Sequence, residues 1–298
     1  MPEKSTLKGV LLIITSAACI SVTFVASKQA MQTLSPLGFT PLWFGAASLW
    51  GLGFYVGKNG LTWPVGVGTY IKPVLLIGIF NGIANLLLFT AINLGDPTLS
   101  AFFSRSETIY SVVLSALFLH ERMQHLQWAG VAIAILGAGV MTFRAGSVVW
   151  LMLGILLLSN LFLSISYLLT KTQVQAVPSI VLSTARTLMI TVILGIIALL
   201  FGELSWPDST TWLWIWGGAF FGPFFSYILF YQGLRHIDLA KSTVIRTTQP
   251  LFVALYSLIL FGTVITFAQF VGGILMIAGV ALMLWQRNNV QDKSIEGV

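Results

Sequence analysis

The sequence predicts an all-α integral membrane protein, with ten transmembrane helices in two five-helix inverted repeats and both termini cytoplasmic. Three observations carry that expectation. Hydrophobic residues make up 57% of the 298 and charged residues 8%, against the roughly 25% charged share of soluble chains, and the mean hydropathy is +0.92. Apolar runs recur along the whole chain, each near the ~20 residues that cross a ~30 Å hydrocarbon core at ~1.5 Å per residue. Finally, the stretch GDPTLSAFFSRSETIYSVVLSALFLHER, from Gly95 to Arg122, has a second copy around HIDLAKSTVIRTTQPLFVALYSLILFG. Arg105 then corresponds to Arg246, Phe89 to Phe230 and Leu119 to Leu260.

In chain order the runs lie at about 9–27, 40–56, 73–94, 98–119, 126–143, 148–170, 180–201, 211–233, 239–261 and 267–285. Lipid offers no hydrogen bonds to the backbone, so helices are required rather than open strands. Thr40-Pro41, Asp96-Pro97 and Pro178 mark helix starts, where a cap or a proline costs no internal bond. The third helix of each half carries Gly78 and Gly82, or Gly217, Gly218, Gly222 and Pro223, with Gly82 corresponding to Pro223. Both copies are therefore expected to be weakened at mid-depth. Either the glycines admit close helix approach, or the helices break beside a central site. Pro250 predicts a kink in the ninth helix.

Orientation follows from the loops. With the N-terminus inside, Lys4, Lys8, Lys58, Lys72, Arg122, Lys171, Arg235, Lys241, Arg287 and Lys293 are cytoplasmic, while Lys28 and Arg144 lie outside. Trp63, Trp128 and Trp285 are expected at inner boundaries, and Trp43, Trp150, Trp206 and Trp212 at outer ones. The formal charge of +6 forms no basic patch interleaved with aromatics, so nucleic acid is not a predicted partner. The single cysteine, Cys19, excludes an intramolecular disulfide and a cysteine metal cluster, and no cofactor is predicted. A lipoprotein cleavage site at Cys19 is rejected, because Ser16 stands where leucine is usual.

The first helix also has a counterpart. Ser21 matches Ser164, Lys28 matches Lys171 and Gln32 matches Gln175, so CISVTFVASKQAMQ resembles FLSISYLLTKTQVQ; Gly130 and Gly137 match Gly272 and Gly279. The repeats are placed at residues 1–144 and 149–287, with a cytoplasmic tail at 288–298. Five helices per unit is an odd number, so the second unit enters the membrane from the opposite side.

Ten helices in two inverted units, the Lys28 and Lys171 pair, SVVLSALFLHER followed by Gly130 and Gly137, and Arg186 after Pro178 together resemble the drug/metabolite transporter superfamily, in particular its EamA-type ten-helix transporters. The resemblance spans nearly the whole chain, and its specificity lies in the order and repetition of the motifs. It implies alternating-access transport in the plasma (inner) membrane, mostly export of amino acids, other metabolites or drugs. Two departures stand out: Trp43 occupies the place of the family's frequent second-helix arginine, and Gly262 is the counterpart of Glu121.

An arginine at the bilayer centre costs roughly 2.5–3.5 kcal/mol, so an intramembrane arginine is a functional candidate. Arg105 and Arg246 each lie ~10 Å deep, from opposite sides. Snorkelling competes with a shared role at a central cavity for each of them, and their equivalent positions favour the cavity. Arg186 is the third candidate. Glu107, two residues from Arg105, is expected about 160° away around an α-helix and so unable to pair with it. It shares a face with Ser100, Ser104, Ser111 and Ser115, and is either part of a packing seam or a proton-coupling carboxylate. Ser242, Arg246 and Gln249 form one polar face; Asn81, Asn85, Asn160, Tyr167, Ser226 and Tyr227 are further polar candidates.

The proposed substrate contacts are thus Arg246, Arg105, Gln249, Asn85, Tyr227, Asn160 and Tyr167, with Glu107 and Arg186 for coupling or ion pairing. Three arginines against one glutamate predict a small carboxylate-bearing substrate. Membrane lipid is the surrounding partner, and a homodimer is left open. A channel or lipid scramblase is the alternative. An enzyme is disfavoured, since no HExxH motif is present and His120, His125 and His236 all sit near helix ends.

Overall fold

The computed structural model describes residues 2–60, 67–118, 125–142 and 147–262, with 266–268, 270–275, 277–279 and 282 towards the C-terminus. Among the described residues there are helices and no strands. α1 spans Pro2–Ala30, α2 Pro36–Asn59 and α3 Val67–Leu94; α4, Pro97–Phe103, passes through a 3₁₀ turn at Ser104–Ser106 into α5, Glu107–Phe118. α6 (His125–Thr142), α7 (Ser147–Gln173) and α8 (Ser179–Leu200) follow. α9, Ser209–Ala219, widens into a π segment at Phe220–Ser226 before α10, Tyr227–Leu234. α11, Leu239–Ile245, tightens at Arg246–Thr248 into α12, Gln249–Phe261.

Among the described residues, six helical stretches are long and apolar enough to cross a membrane: Thr6–Ala30, Ile71–Leu94, Val149–Gln173, Ser179–Leu200, Ser209–Leu234 and Lys241–Phe261; a shorter apolar helix covers Phe270–Gly279. The run expected at 40–56 is also helical, but its glycines, prolines and tryptophans leave it less apolar than these. The far ends of the runs expected at 98–119, 126–143 and 267–285 lie outside the described residues, as do Trp63, Arg122, Arg144 and Trp285. Leu188, Val192, Ile196 and Leu199 are exposed along one side of α8, which a membrane-spanning helix can turn to lipid.

Helix starts are fixed by short polar side chains. Asp96 accepts from the N–H groups of Thr98 and Leu99 at 2.8 and 3.0 Å, with Pro97 next to it. α2 begins four residues before the expected Thr40-Pro41. Ser35 caps it through Gly38 N–H at 3.1 Å with Pro36 in the first turn, and Thr40 lies inside the helix, bonded back to the Pro36 carbonyl. The earlier Ser-Pro pair offers the same capping chemistry, and the chain uses it first.

Packing joins the two halves of the chain. α2 lies on α8, α3 on α7 and α8, and α1 on α9, α10 and α12. Lys28 donates to the Ile92 and Asn93 carbonyls at the end of α3, both at 3.0 Å. Lys171 donates to the carbonyl of Leu234, the last residue of α10, and to that of Ile237 in the turn after it, at 2.7 and 2.9 Å. Each cation thus satisfies carbonyls that a helix C-terminus leaves without partners.

Two expectations are corrected by this packing. Trp43 is not a boundary residue but fully buried, with ring centroids 5.1 Å from Phe39 and 6.2 Å from Phe89. It fits because Gly218 has no side chain: a Cβ there would collide with the Trp43 ring and the Ala26 methyl. α3 is continuous through Gly82, where a Cβ would meet Ile190 only at an ordinary 3.7 Å. Of the two third helices, the second alone is irregular at mid-depth, in the π segment around Pro223.

Candidate functional site

The fourth-helix rods, α4 to α5 and α11 to α12, both tighten at their arginine. In the first, Ser100 and Ser104 return their hydroxyls to carbonyls one turn back, those of Asp96 and Ser100, a habit that bends helices. The Glu107 N–H turns to Ser104, and the Phe103 carbonyl accepts instead from the Ser106 hydroxyl at 3.0 Å and from Asn160 of α7 at 3.1 Å. Asn160 also donates to Ser106 at 2.7 Å. In the second rod the helical partner of the Arg246 carbonyl would be Pro250, which has no N–H. Gln249 N–H closes a tighter turn on that carbonyl, and Arg105 Nη1 donates to it at 2.8 Å. In both rods the irregular turn frees a carbonyl, and a side chain from another helix takes it.

Around these turns the charges converge. Arg105 is 5% exposed and Arg246 3%. Arg105 Nη1 lies 3.1 Å from Glu107 Oε1, close enough for an ion pair although the angle misses hydrogen-bond alignment. This overturns the expectation that the two residues cannot pair. A 3₁₀ turn advances ~120° per residue rather than ~100°, so Arg105 and Glu107 are closer around the axis, and the long arginine stem covers the rest. Arg246 Nη1 is 2.6 Å from the Tyr167 hydroxyl, and its guanidinium sits 4.7 Å over the Phe230 ring. Arg105 and Arg246 are thus in direct contact, the guanidinium of one on the backbone carbonyl of the other. The serine face of Glu107 packs on α7, where Ser164 donates to the Glu107 carbonyl and meets Ser111 at 3.1 Å.

Arg186 anchors a second group. Fully buried, it donates to Asn81 Oδ1 at 2.6 Å and to the Pro223 carbonyl at 2.9 Å, and its guanidinium lies 3.7 Å over the Tyr227 ring. The π turn is what presents that carbonyl, since the Tyr227 N–H bonds Phe224 rather than Pro223. Asn85 supports Asn81 from one turn further on, donating to its side-chain oxygen at 2.8 Å. The Phe230 ring lies 5.0 Å from that of Tyr167 and 6.3 Å from that of Tyr227, so the groups of Arg246 and Arg186 adjoin through one aromatic cluster and form one network. Gln249 stands at its edge, with its backbone carbonyl accepting from Ser21 of α1 at 3.2 Å and its side-chain oxygen unpartnered.

Sequence reasoning missed the Phe230 ring under Arg246 and the Pro223 carbonyl. The signal for both was present: Phe230 is the repeat counterpart of Phe89, and a proline inside a glycine-rich helix forecasts misplaced carbonyls. The described residues contain no cluster of three or more metal-ligating side chains.

A model of the EamA-like transporter family matches residues 7–143 and again residues 150–285. The chain belongs to this family. Two proteins of Archaeoglobus fulgidus, each named an uncharacterized transporter, are 24% identical to it. One aligns over 221 residues, 74% of this chain and 78% of the relative; the other aligns over 281 residues, 89% and 95%. One solved structure, a protein crystal structure, superposes with a TM-score of 0.74 at 17% identity, covering 97% of this chain and 99% of its own. That likeness fixes the fold. As an EamA-like transporter the chain is a multi-pass membrane protein, and the buried arginine network lies where helices of the two matched segments meet.

Proposed function

We propose that this EamA-like protein is a secondary active transporter of the plasma (inner) membrane that exports small carboxylate-bearing metabolites, such as amino acids or organic acids, by alternating access between two inverted halves. One observation supports this most directly: three arginines are buried together with one glutamate, and two of them sit at equivalent irregular turns of the two repeats. The described network carries an excess of two positive charges when all four groups are ionised, and a carboxylate would offset part of it. Arg246, Arg105 and Arg186 provide the anion contacts, with Tyr167, Tyr227, Asn85, Asn160 and Gln249 around them, and Glu107 is the group that carries a coupled proton. The inward position of all three guanidiniums supports a transporter over a scramblase, which needs a polar groove facing lipid.

Substrate counterflow in proteoliposomes tests this. Labelled L-glutamate and L-leucine are compared with an uncharged amide and a cationic amine, in wild type, Arg246→Gln and Glu107→Gln. Exchange restricted to the carboxylates, lost in Arg246→Gln, and no longer driven by a proton gradient in Glu107→Gln is expected. Equal exchange of the cation and the carboxylates by wild type would exclude the reading.

A further inference from the structure

A cavity of about 490 Å³ opens beside the ends of α1, α2, α8 and α10, away from the arginine network. Small-molecule sites have volumes of ~300–1,000 Å³. Lys8, Lys58, Arg235 and His236 line it, Phe54 and Ile228 supply apolar wall, and none of the described lining residues is acidic. Lys8 and Lys58 are exposed, while Arg235 is fixed by a 2.8 Å bond to the Val177 carbonyl.

From this cavity a polar stripe leads inward. Ser179 lines it, and Ser183 and Arg186 follow on the same face of α8 at spacings of four and three residues. Ser179, Ser183 and Arg186 are 6%, 1% and 0% exposed, and Ser179 Oγ, Ser183 Oγ and Arg186 Nε have no hydrogen-bond partner within the protein. Ser48 and Ser104, also buried in helices, place their hydroxyls on the carbonyl one turn back. Ser183 has the same option and does not use it. Orienting the chain in the membrane requires basic residues in its loops. It does not require them to converge on a cavity, nor uncommitted hydroxyls running from there to a buried guanidinium.

We propose that this cavity is an antechamber for a small organic anion, a carboxylate or sulfonate, which passes from Lys8 and Lys58 along Ser179 and Ser183 to Arg186. The proposal rests on the anionic-substrate reading above and adds a capture site and a route to it. A concave cationic surface raises the local anion concentration by about 10–1,000-fold; the hydroxyls then donate to the anion as it leaves the lysines.

Single cysteines test the route without a known substrate. In a Cys19→Ser background, Ser179→Cys and Ser183→Cys are placed in phosphatidylcholine nanodiscs, which expose both faces. They are then treated with 2-sulfonatoethyl methanethiosulfonate or its 2-(trimethylammonio)ethyl counterpart, with rates normalised to 2-mercaptoethanol. The anionic reagent should be favoured about tenfold at both positions, and the ratio should fall towards one in Lys8→Gln/Lys58→Gln. Equal rates or a faster cation at Ser179→Cys overturns the antechamber. An unreactive Ser183→Cys beside a reactive Ser179→Cys overturns the route. In nanodiscs containing phosphatidylglycerol the ratio should persist; its collapse there would assign the cavity to a lipid headgroup and overturn the solute site. Labelling needs no transport. A lost ratio with carboxylate-selective counterflow therefore sinks only the antechamber, and a retained ratio with charge-indifferent counterflow sinks only the substrate reading.

Discussion

Glu107→Gln keeps the shape of the side chain and removes its charge. The pair it breaks is buried on both sides, with the Arg105 and Glu107 side chains 4% and 1% exposed and 3.1 Å apart. At a separation of ~4 Å and an effective dielectric of ~20, two unit charges attract by about 4 kcal/mol. A realigned amide oxygen returns about 1 kcal/mol as a neutral hydrogen bond, so a net loss of about 3 kcal/mol is expected. Interhelical hydrogen bonds in membranes average only about 0.6 kcal/mol, so an ionic pair and an ordinary polar contact are distinguishable. Equilibrium unfolding in mixed detergent–SDS micelles measures the loss, and a cycle with Arg105→Gln isolates the pair. A coupling energy of about 1.5–3 kcal/mol is expected; one below about 0.5 kcal/mol, within the additivity error of independent sites, would refute the ion pair as a stabilising element.

Three further outcomes follow from local geometry. Lys171→Met should lower unfolding free energy by about 1–2 kcal/mol, slightly more than Lys28→Met, because the Lys171 bonds of 2.7 and 2.9 Å are shorter than the 3.0 Å bonds of Lys28; thermal denaturation in detergent checks the order. Gly218→Ala should cost about 1–3 kcal/mol by overpacking against Trp43, whereas the neighbouring Gly217→Ala, with open space around its Cβ, should be neutral in the same scan. Asp208 caps α9 by accepting from the Thr211 N–H at 3.2 Å, and its carboxyl is held below the usual 3.8, chiefly by the Thr211 side chain and further by that backbone N–H. A depressed folded value means that the cap's contribution is complete above 3.8 and is lost as pH falls through the folded value. Protection of the Thr211 amide from hydrogen exchange should fall over that acid range in wild type and be low at every pH in Asp208→Ala.

The membrane class and the internal repetition were legible because both are written in composition and spacing. Ten apolar runs need no tertiary information, and the correspondence of Arg105 with Arg246 survives without contacts. What spacing could not supply was local helix geometry. Angles of 100° per residue separated Arg105 from Glu107, and the error came from assuming an α-helix where Ser100, Ser104 and the serine-rich turn produce a 3₁₀ segment. Trp43 was assigned to a membrane boundary on residue type alone. Its burial depends on the missing side chain at Gly218, some 170 residues away, a complementarity that only packing reveals. The cavity residues were legible as a charge asymmetry, but not as one surface, because they come from the ends of four separate helices.

The two ends of the bundle hold equivalent positions by different physics. Phe39, Trp43 and Phe89 correspond through the repeat to Leu182, Arg186 and Phe230. The first three are all fully buried and pack in tilted and edge-to-face contacts, with Phe39 and Phe89 at 4.9 Å. Such a cluster is held by burial and by about 0.5–1.5 kcal/mol per ring pair, and no small anion can replace those contacts. At the other end Arg186 is held by Asn81, the Pro223 carbonyl and the Tyr227 face. Each charge-assisted bond is worth about 1.5–3 kcal/mol, but a carboxylate can take over either of them nearly one for one. Under the proposed alternating access, an arriving anion therefore lowers the cost of rearranging the Arg186 end and leaves the aromatic end unchanged. Under the same proposal, tryptophan in place of arginine at one of two equivalent positions would leave one end responsive to the substrate and the other a seal indifferent to it.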